Sequence, residues 1–581
     1  MTDQKNLILA IVISVAILFG FHFFVELPRQ KAQQENLARQ QALSGETITP
    51  AEPGTAPPPA PTTPGVDAAA IAQAPLRSRD AVLGESGRVT INTPRLHGSI
   101  NLKGGRLDDL TLANYNVTPD PKSPEVVLLS PVGAVDPYFA EFGWVAGNGG
   151  AVALPGANTV WSASADRLEP GTPVTLSWDN GQGLVFERTI AVDENYMFTV
   201  TQRVRNTGGQ AVVLHPYGFV QRRGTPHASG MYILHEGPVG IIGGVLQEFK
   251  YKDLQGETAK EMTTTGGWIG ITDKYWLVSL IPDQKTSVDV RVLHQKGATD
   301  IYQIDYRAPA VTVEPGQSTE TAQRLFAGAK VVDILNHYED NLGVERFNMA
   351  VDWGWFRFLT KPFFYALDFL GGAVGNFGIA ILIFTVFLRG AFFPIANKQY
   401  EAFAKMKRLQ PKMEELRKRL GDNREQLSME MMKLYKEEKA NPLAGCLPIL
   451  LQIPVFFALY KVLYVTIEMR HAPFYGWIHD LSAPDPTTLF NLFGMIPWDP
   501  PTFLHIGIWP LLMGATMFLQ QKMSPANPDP VQQRVFLALP FIFTYMMASF
   551  PAGLVIYWTW SNLLAILQQW FITRRLNAKA A

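Results

Sequence analysis

The feature that most constrains this 581-residue chain is a set of apolar segments, several of them long enough to cross a lipid bilayer. A spanning helix needs about 20 consecutive, mostly apolar residues. Residues 375–397 meet this requirement, yet they carry Arg389 in their interior. Because a charge inside hydrocarbon is costly, such a residue usually faces a wet interior or a functional path. The last 230 residues are therefore predicted to form a helical membrane protein.

Apolar runs and the segments between them predict six transmembrane helices and a defined domain order. The first run, residues 7–25, is long for a cleaved signal peptide and has no small-residue cleavage site after it, which favours an uncleaved signal anchor. The predicted boundaries are an N-terminal anchor at 1–26, a disordered Pro- and Ala-rich linker at 27–80, a β domain at 81–335, amphipathic interfacial helices at 336–372, transmembrane helices at 373–397, 443–466, 503–520, 535–550 and 553–573, a cytoplasmic helical hairpin at 398–442, a periplasmic loop at 467–502, a cytoplasmic loop at 521–534 and a short cytoplasmic tail at 574–581.

The β domain is indicated by a change to period-two alternation. From about residue 85 to 330, apolar residues alternate with polar ones and are separated by Gly, Pro and Asn. Residues 186–209, for example, read as two strands around an Asp-Glu-Asn turn. Many short strands of this kind are typical of a large β-sandwich. The sequence contains no HExxH, no GxSxG and no paired-cysteine site, so neither a catalytic residue, a metal nor a cofactor is predicted.

Loop charges predict the orientation. The loop 398–440 holds twelve Lys and Arg against eight Asp and Glu, whereas 467–502 holds four acidic residues and one arginine. By the positive-inside rule, both termini and the basic loop are cytoplasmic, and the β domain faces outward. The formal net charge of −1 gives no general reason to expect nucleic-acid binding.

Two helical segments flank the first core span. Residues 351–370 mix tryptophans and phenylalanines with Arg357 and Lys361, which suits a helix in the membrane interface. A core-packing helix of the β domain is the alternative, and the interface is favoured because a span follows directly. Residues 398–440 repeat Leu and Met every three or four residues on both sides of Gly421, which predicts an αα-hairpin.

Polar residues in several spans bear on the role of Arg389. Its side chain could simply reach the interface along its own stem. A shared wet cavity accounts for the other polar groups as well, whereas helix-to-helix hydrogen bonding is a further alternative for two of them, Gln452 and Asn562. The candidate groove residues are Arg389, Thr385, Gln452, Tyr557, Trp558 and Asn562.

Several motifs resemble those of the YidC/Oxa/Alb membrane protein insertases. They are FLRGAFFPIANKQYEAFAKMKRLQPKMEELRKRLGD, NPLAGCLPILLQIPVFFALY, PFYGWIHDLSAPDP, FLQQKMSP and FPAGLVIYWTWSNLLAILQQW, in family order over 345–575. The anchor, the linker and 266–282 look like the Gram-negative branch, whose periplasmic domain is a β-supersandwich similar to sugar-mutarotase folds. The resemblance implies a five-helix core with a hydrophilic groove that opens to the cytoplasm and the lipid.

The resemblance also implies a function. Such proteins insert membrane proteins into the inner membrane and help them fold, alone or with the Sec translocon, without a cofactor. The implied partners are nascent membrane proteins, the Sec translocon with its accessory subunits, ribosome–nascent chain complexes and membrane lipids. The groove arginine of the family matches Arg389, and substrate-contacting positions match Thr385, Tyr557 and Trp558. Trp558 stands where a second tyrosine is common in the family.

Two other functions are weighed against insertion. A small-molecule transporter or channel is the main alternative, but the predicted spans contain no carboxylate for a proton or sodium site and no visible inverted repeat. An enzyme is disfavoured because the sequence offers no nucleophile–base pair or metal motif.

Overall fold

The chain forms two compact units. The computed structural model describes residues 77–147, 152–226, 234–256, 259–297, 299–421, 423–438, 447–498, 500–524 and 530–578. The described residues of the sandwich unit lie within Pro58–Lys361 and Lys461–His471, and those of the helical unit lie within Pro362–Tyr460 and Ala472–Ala581. The predicted anchor and nearly all of the predicted linker fall outside the described residues.

The sandwich unit contains two large sheets. Its strands are β1 Arg88–Asn92, β2 Leu96–Asn101, β3 Arg106–Asn116, β4 Glu125–Leu129, β5 Tyr138–Ala146, β6 Ser162–Ala163, β7 Arg167–Leu168, β8 Val174–Asp179, β9 Leu184–Val192, β10 Met197–Asn206, β11 Val212–Arg223, β12 Gly237–Ile242, β13 Val245–Glu248, β14 Lys260–Thr265, β15 Trp268–Thr272, β16 Trp276–Ile281, β17 Ser287–Gln295, β18 Ile301–Arg307, β19 Val311–Val313 and β20 Ser318–Ala329. One sheet has eleven strands along the path β14-β17-β18-β11-β5-β3-β2-β1-β7, with β19 beside β11 and β4 beside β3. The other has nine, in the order β13-β12-β15-β16-β20-β10-β9-β8-β6.

Alternating burial explains why these strands form a sandwich. On β9, every second side chain from Leu184 to Val192 is buried, and β9 pairs with β10 in antiparallel register across the Asp-Glu-Asn turn. Such a strand buries one face against a second layer and leaves the other toward solvent. The prediction of a large β-sandwich is confirmed.

A buried arginine lies between the two sheets. Arg188 belongs to the inward-facing phase of β9 and is only 3% exposed. Its guanidinium donates hydrogen bonds to the carbonyl oxygens of Gly105, at 2.7 Å, and of Phe142 on β5, and it stacks on the ring of Trp161. Burial lowers its pKa, and the nearby Glu141 carboxylate opposes that effect. Arg188 therefore connects the nine-stranded sheet to backbone of the other layer.

A buried lysine follows the last strand. Lys330 is 2% exposed, and its ammonium donates to Thr272 Oγ1 at 3.0 Å and to the carbonyl of Asp273 at 2.8 Å. Burial is the main cause that lowers its pKa, from an ordinary 10.5 to about 8. The native state therefore loses this proton at a lower pH than the unfolded chain does.

This difference predicts a pH dependence of stability. Between about pH 8 and 10.5 the unfolded chain keeps a proton on Lys330 that the native chain has released, so the free energy of unfolding rises with pH there. Relative to a Lys330→Met variant, the wild type should gain roughly 2–3 kcal/mol from pH 7 to pH 10. Pulse proteolysis of the sandwich in a urea series measures this difference. The exposed Lys285 gives the control, Lys285→Met, and an equal pH slope in both comparisons would contradict the prediction.

Helices make up most of the rest of the described chain. They are α1 Arg79–Leu83, α2 Tyr251–Leu254, α3 Val332–Leu342, α4 Arg357–Val374, α5 Phe377–Ala391, α6 Phe393–Leu420, α7 Arg424–Glu437, α8 Leu447–Val465, α9 Ile508–Met523, α10 Pro530–Met547 and α11 Ala552–Ala578. Short 3-10 turns lie at Phe347–Ala350, Ile467–Met469, Leu489–Gly494 and Thr502–Leu504. Asn376 begins α5 by accepting a hydrogen bond from the backbone N–H of Ile379 at 3.0 Å, as an N-cap does.

The boundary between the first core helix and the hairpin lies earlier than the sequence predicts. We expected one helix to run to residue 397, but α5 ends at Ala391 and α6 begins at Phe393 after a bend of 68°. Gly390 and Pro394 account for the position, because glycine weakens a helix interior and proline is tolerated in a first helical turn. Within the described residues, no single helix is both long enough and apolar enough to span a membrane, and α5 and α6 meet these requirements only together, across the bend. The number of transmembrane helices stays a prediction.

The two helices of the hairpin pack through their apolar faces. Leu409 and Met413 of α6 are buried against Met431, Leu434 and Tyr435 of α7. The turn between them is followed by Asn423, which caps α7 by accepting from the backbone N–H of Gln426 at 3.2 Å.

Segment 351–370 combines features of a core-packing segment with features of an interfacial helix. Trp353 is 2% exposed and donates its indole N–H to the carbonyl of Asn348, as a core residue does. Trp355 and Phe358 are 73% and 68% exposed, as residues of an interfacial helix would be. Placement of α4 in the membrane interface stays a prediction.

Candidate functional site

Arg389 lies on α5 and is held by a neutral partner on α11. Its Nε donates to Ser561 Oγ at 3.1 Å, and one terminal nitrogen donates to Ser561 Oγ at 2.6 Å and to the Ser561 carbonyl at 3.0 Å. Of the carboxylates that the structure describes, none forms an ion pair with this guanidinium. The charge is therefore oriented by hydrogen bonds without being neutralised.

This pair forms part of the wall of a small cavity of about 40 Å³, which combines polar and apolar side chains. Its lining combines α5, α6, α8 and α11 and includes four of the six residues that the sequence predicts for a groove. The lining residues are Thr385, Leu388, Arg389, Phe392, Ile395, Ala396, Gln399, Gln452, Tyr557 and Ser561. A space of this size with polar walls has room for ordered water.

Helix periodicity explains which side chains share the cavity. Thr385 precedes Arg389 by four residues on α5, and Tyr557 precedes Ser561 by four on α11, so each pair lies on one helix face. Gln452 of α8 reaches across and donates its amide N–H to the Tyr557 hydroxyl at 2.6 Å. The two residue pairs and Gln452 therefore form one cluster of polar side chains.

The Thr385 hydroxyl group does not donate a hydrogen bond into the cavity. The side chain is fully buried, and its hydroxyl donates to the carbonyl of Ile381, four residues earlier, at 2.6 Å. A threonine that bonds back in this way satisfies its donor within its own helix. What it offers the cavity is therefore its methyl group and the remaining acceptor capacity of its oxygen.

Trp558 and Asn562 do not line the cavity. Each follows a lining residue by one position, which turns it about 100° around α11. The Trp558 ring packs edge-on against Phe456 at 5.0 Å and Phe543 at 5.6 Å. Asn562 is 5% exposed and donates to Thr516 Oγ1 of α9 at 3.3 Å, which is the helix-to-helix bond weighed above. Their role as substrate contacts stays a prediction.

Two polar lining residues were not among the predicted site residues. Ser561 accepts three hydrogen bonds from Arg389, and Gln399 lines the cavity from α6. The spacing of four from Tyr557 was a signal that favoured Ser561 over Asn562. In the described part of the chain, no three His, Cys, Asp or Glu side chains are grouped so as to hold a metal ion.

Comparisons with known proteins cover both units. Residues 88–366 match the family model of the YidC periplasmic domain, and residues 369–579 match the model described as 60Kd inner membrane protein. A membrane protein insertase YidC of Methylorubrum extorquens (strain PA1) is 51% identical over 595 residues, which cover 99% of this chain and 96% of that protein. This chain belongs to the YidC family. The Rhizobium meliloti (strain 1021) member, named likewise, is 51% identical over 583 residues, covering 100% of this chain and 97% of its own.

Solved structures add two similarities. The crystal structure of an active YidC insertase with its first transmembrane domain resolved matches at 17% identity and a TM-score of 0.35, covering 86% of this chain and 94% of that one. A galactose mutarotase-like protein from Lactobacillus casei matches at 11% identity and a TM-score of 0.29, covering 42% of this chain and 100% of that one. The family assignment rests on the sequence matches.

Proposed function

We propose that this chain is a membrane protein insertase that moves nascent membrane proteins into the inner membrane and helps them fold. Membership of the YidC family supports this function, and the named relatives are insertases. The observation that carries the mechanism is Arg389, a cation in an apolar helix that is held by the neutral Ser561 and lines a polar cavity. The role requires no bond-making chemistry of the chain itself.

The mechanism follows from the cost of moving polar groups through hydrocarbon. Each unsatisfied backbone group of a translocating tail costs several kcal/mol in the bilayer core. A polar cavity inside the helical unit would shorten the apolar distance that the tail must cross. Arg389 would attract acidic or polar tail segments for a short time, because its charge is not cancelled by a carboxylate that the structure describes.

Release into lipid would follow from the outer surface of the helical unit. Large apolar side chains are exposed on α5, α10 and α11, among them Phe387, Phe541, Ile542, Leu567 and Phe571. Exposed apolar surface of this extent suits contact with lipid chains and with the apolar segment of a substrate. Burial of a substrate helix in lipid, at about 25 cal/mol per Å² of apolar area, then drives release.

The finer arrangement is part of the proposal. The cavity would belong to a groove open to the cytoplasm and the lipid, formed by five core helices, with an N-terminal anchor as the sixth span. Both termini and the basic hairpin would be cytoplasmic, and the sandwich periplasmic. The partners would be nascent chains, the Sec translocon with its accessory subunits, ribosome–nascent chain complexes and membrane lipids.

Reconstitution tests this function directly. Liposomes that contain only the purified chain should protect a short-tailed, single-span membrane protein from protease several-fold better than protein-free liposomes do. Protection no better than that of protein-free liposomes would count against autonomous insertion. Movement of a small solute through the same vesicles, without any nascent chain, would favour the transporter or channel instead.

A further inference from the structure

A second cavity lies at the C-terminal end of α11, and it shares no lining residue with the Arg389 cavity. Its volume is about 310 Å³, at the lower end of the roughly 300–1,000 Å³ found for ligand pockets. Residues of α6 and α11 provide most of its walls. The side chains that matter here are Tyr400, Phe403, Lys407, Gln569, Trp570 and Arg574.

Two cations face this cavity. Lys407 of α6 and Arg574 of α11 are both exposed, and neither forms an ion pair with a carboxylate that the structure describes. The Arg574 guanidinium lies 5.3 Å from the centre of the Trp570 ring, which orients it. Two cations from different helices at one cavity favour an anionic ligand, and a phosphate group accepts hydrogen bonds from both types of side chain.

One of the lining residues, Gln569, carries a buried hydrogen-bond acceptor without a donor in the described part of the chain. Gln569 is 4% exposed, and its amide N–H donates to the carbonyl of Met523 at 3.0 Å. Its Oε1 is buried and has no donor among the described residues. Buried polar atoms nearly always have a hydrogen-bond partner, so this oxygen favours a ligand that carries a hydroxyl group as well as a phosphate.

The position on the helix distinguishes a lipid from a soluble ligand. Leu567, Trp570, Phe571 and Arg574 recur at three and four residues, so they lie along one face of α11. All four are exposed, and the face changes from apolar to aromatic to cationic toward the C-terminus. This order is typical of a helix that leaves the hydrocarbon at the membrane–water interface.

We propose that this cavity binds the headgroup of an anionic glycerophospholipid with free headgroup hydroxyls, such as phosphatidylglycerol. The phosphate lies between Lys407 and Arg574, and a headgroup hydroxyl donates to Gln569 Oε1. The acyl chains follow the exposed face of Leu567 and Phe571.

Native mass spectrometry of the full chain in detergent, titrated with dioleoyl-phosphatidylglycerol, tests the site. The wild type should bind one lipid saturably, and Lys407→Gln with Arg574→Gln should raise the apparent Kd at least tenfold. The matched control, Lys405→Gln with Arg575→Gln, removes the same charge from exposed neighbours that do not line the cavity, and it should stay within twofold of the wild type. Equal weakening in both double variants would overturn the proposal, since it would reduce the effect to general surface charge.

Three comparisons test which ligand the cavity prefers: an anionic lipid, a neutral lipid or a soluble phosphate ester. Dioleoyl-phosphatidylcholine should bind at least tenfold more weakly, and equal binding would overturn the requirement for an anionic headgroup. Soluble glycerol 1-phosphate should not displace the lipid at equal concentration, and displacement would identify a free phosphate ester as the ligand. Gln569→Leu should weaken phosphatidylglycerol but not phosphatidic acid, which lacks the headgroup glycerol. An equal loss for both lipids would overturn the hydroxyl contact.

Discussion

Arg389→Ala is expected to reduce insertion of a substrate with an acidic translocated tail about tenfold, and to reduce insertion of an uncharged-tail version much less. Tenfold corresponds to about 1.4 kcal/mol. A cation within about 4 Å of an acidic group contributes more than that where the effective dielectric constant is near 20. The measurement is the protease-protected fraction in liposomes for two substrates that differ only in the acidic residues of the tail.

Two further variants separate charge from geometry. Arg389→Lys should keep part of the activity, because a point charge remains although the forked hydrogen bonding to Ser561 is lost. Ser561→Ala removes two of the three hydrogen bonds that Ser561 accepts from Arg389 and should give an intermediate loss with the same preference between tails. Equal loss for both substrates in Arg389→Ala would refute the electrostatic role.

Arg188→Ala should lower the free energy of unfolding of the sandwich by about 3–5 kcal/mol. The variant removes a nearly fully buried side chain, its contact with Trp161 and the donors to two backbone carbonyls between the sheets. Each buried acceptor left without a donor costs about 1–3 kcal/mol, and the space left behind adds to this. Pulse proteolysis in a urea series reports the shift in the midpoint for the sandwich.

The comparison with Arg188→Met tests the cause. Methionine refills much of the space but leaves both carbonyls without a donor, so this variant should recover only the part of the loss that comes from the empty space, about 1–2 kcal/mol. Arg203 on the neighbouring strand is half exposed and pairs with Glu320 at 2.9 Å, so Arg203→Ala should cost less than about 1 kcal/mol. A loss as large in Arg188→Met as in Arg188→Ala would show that the lost hydrogen bonds and ring contact, and not the space left behind, account for the whole effect.

Periodicity predicted most of the fold because it is a local property. Period-two alternation around residues 185–206 marked β9 and β10, and three- and four-residue spacing marked the hairpin helices. The same pattern places Arg188 among the buried side chains of β9, between Phe186 and Ile190. The carbonyls of Phe142 on β5 and of Gly105, just before β3, meet this charge because of the strand order, which no local pattern predicts.

Only part of the candidate site was predicted, because a sequence shows the type of each residue but not how the helices pack. The type of residue was enough to single out Arg389, Thr385, Gln452 and Tyr557, all of which line the cavity. Type alone did not separate Ser561 from Asn562 or Tyr557 from Trp558, because adjacent residues differ by their angle around α11. Which face of α11 meets α5 depends on packing with α8 and α9, and this tertiary arrangement decides the outcome.

The pairing of Arg389 with a serine has a consequence for control of the protein. Arginine keeps its proton at all physiological pH values, and a serine hydroxyl carries no charge to lose. The other polar side chains named at the cavity, a threonine, a tyrosine and two glutamines, are also neutral near pH 7. The charge inside the cavity is therefore fixed by the fold and does not change with pH in the physiological range. Any dependence of insertion on pH through this cavity would have to enter with the substrate, from the titration of its own tail.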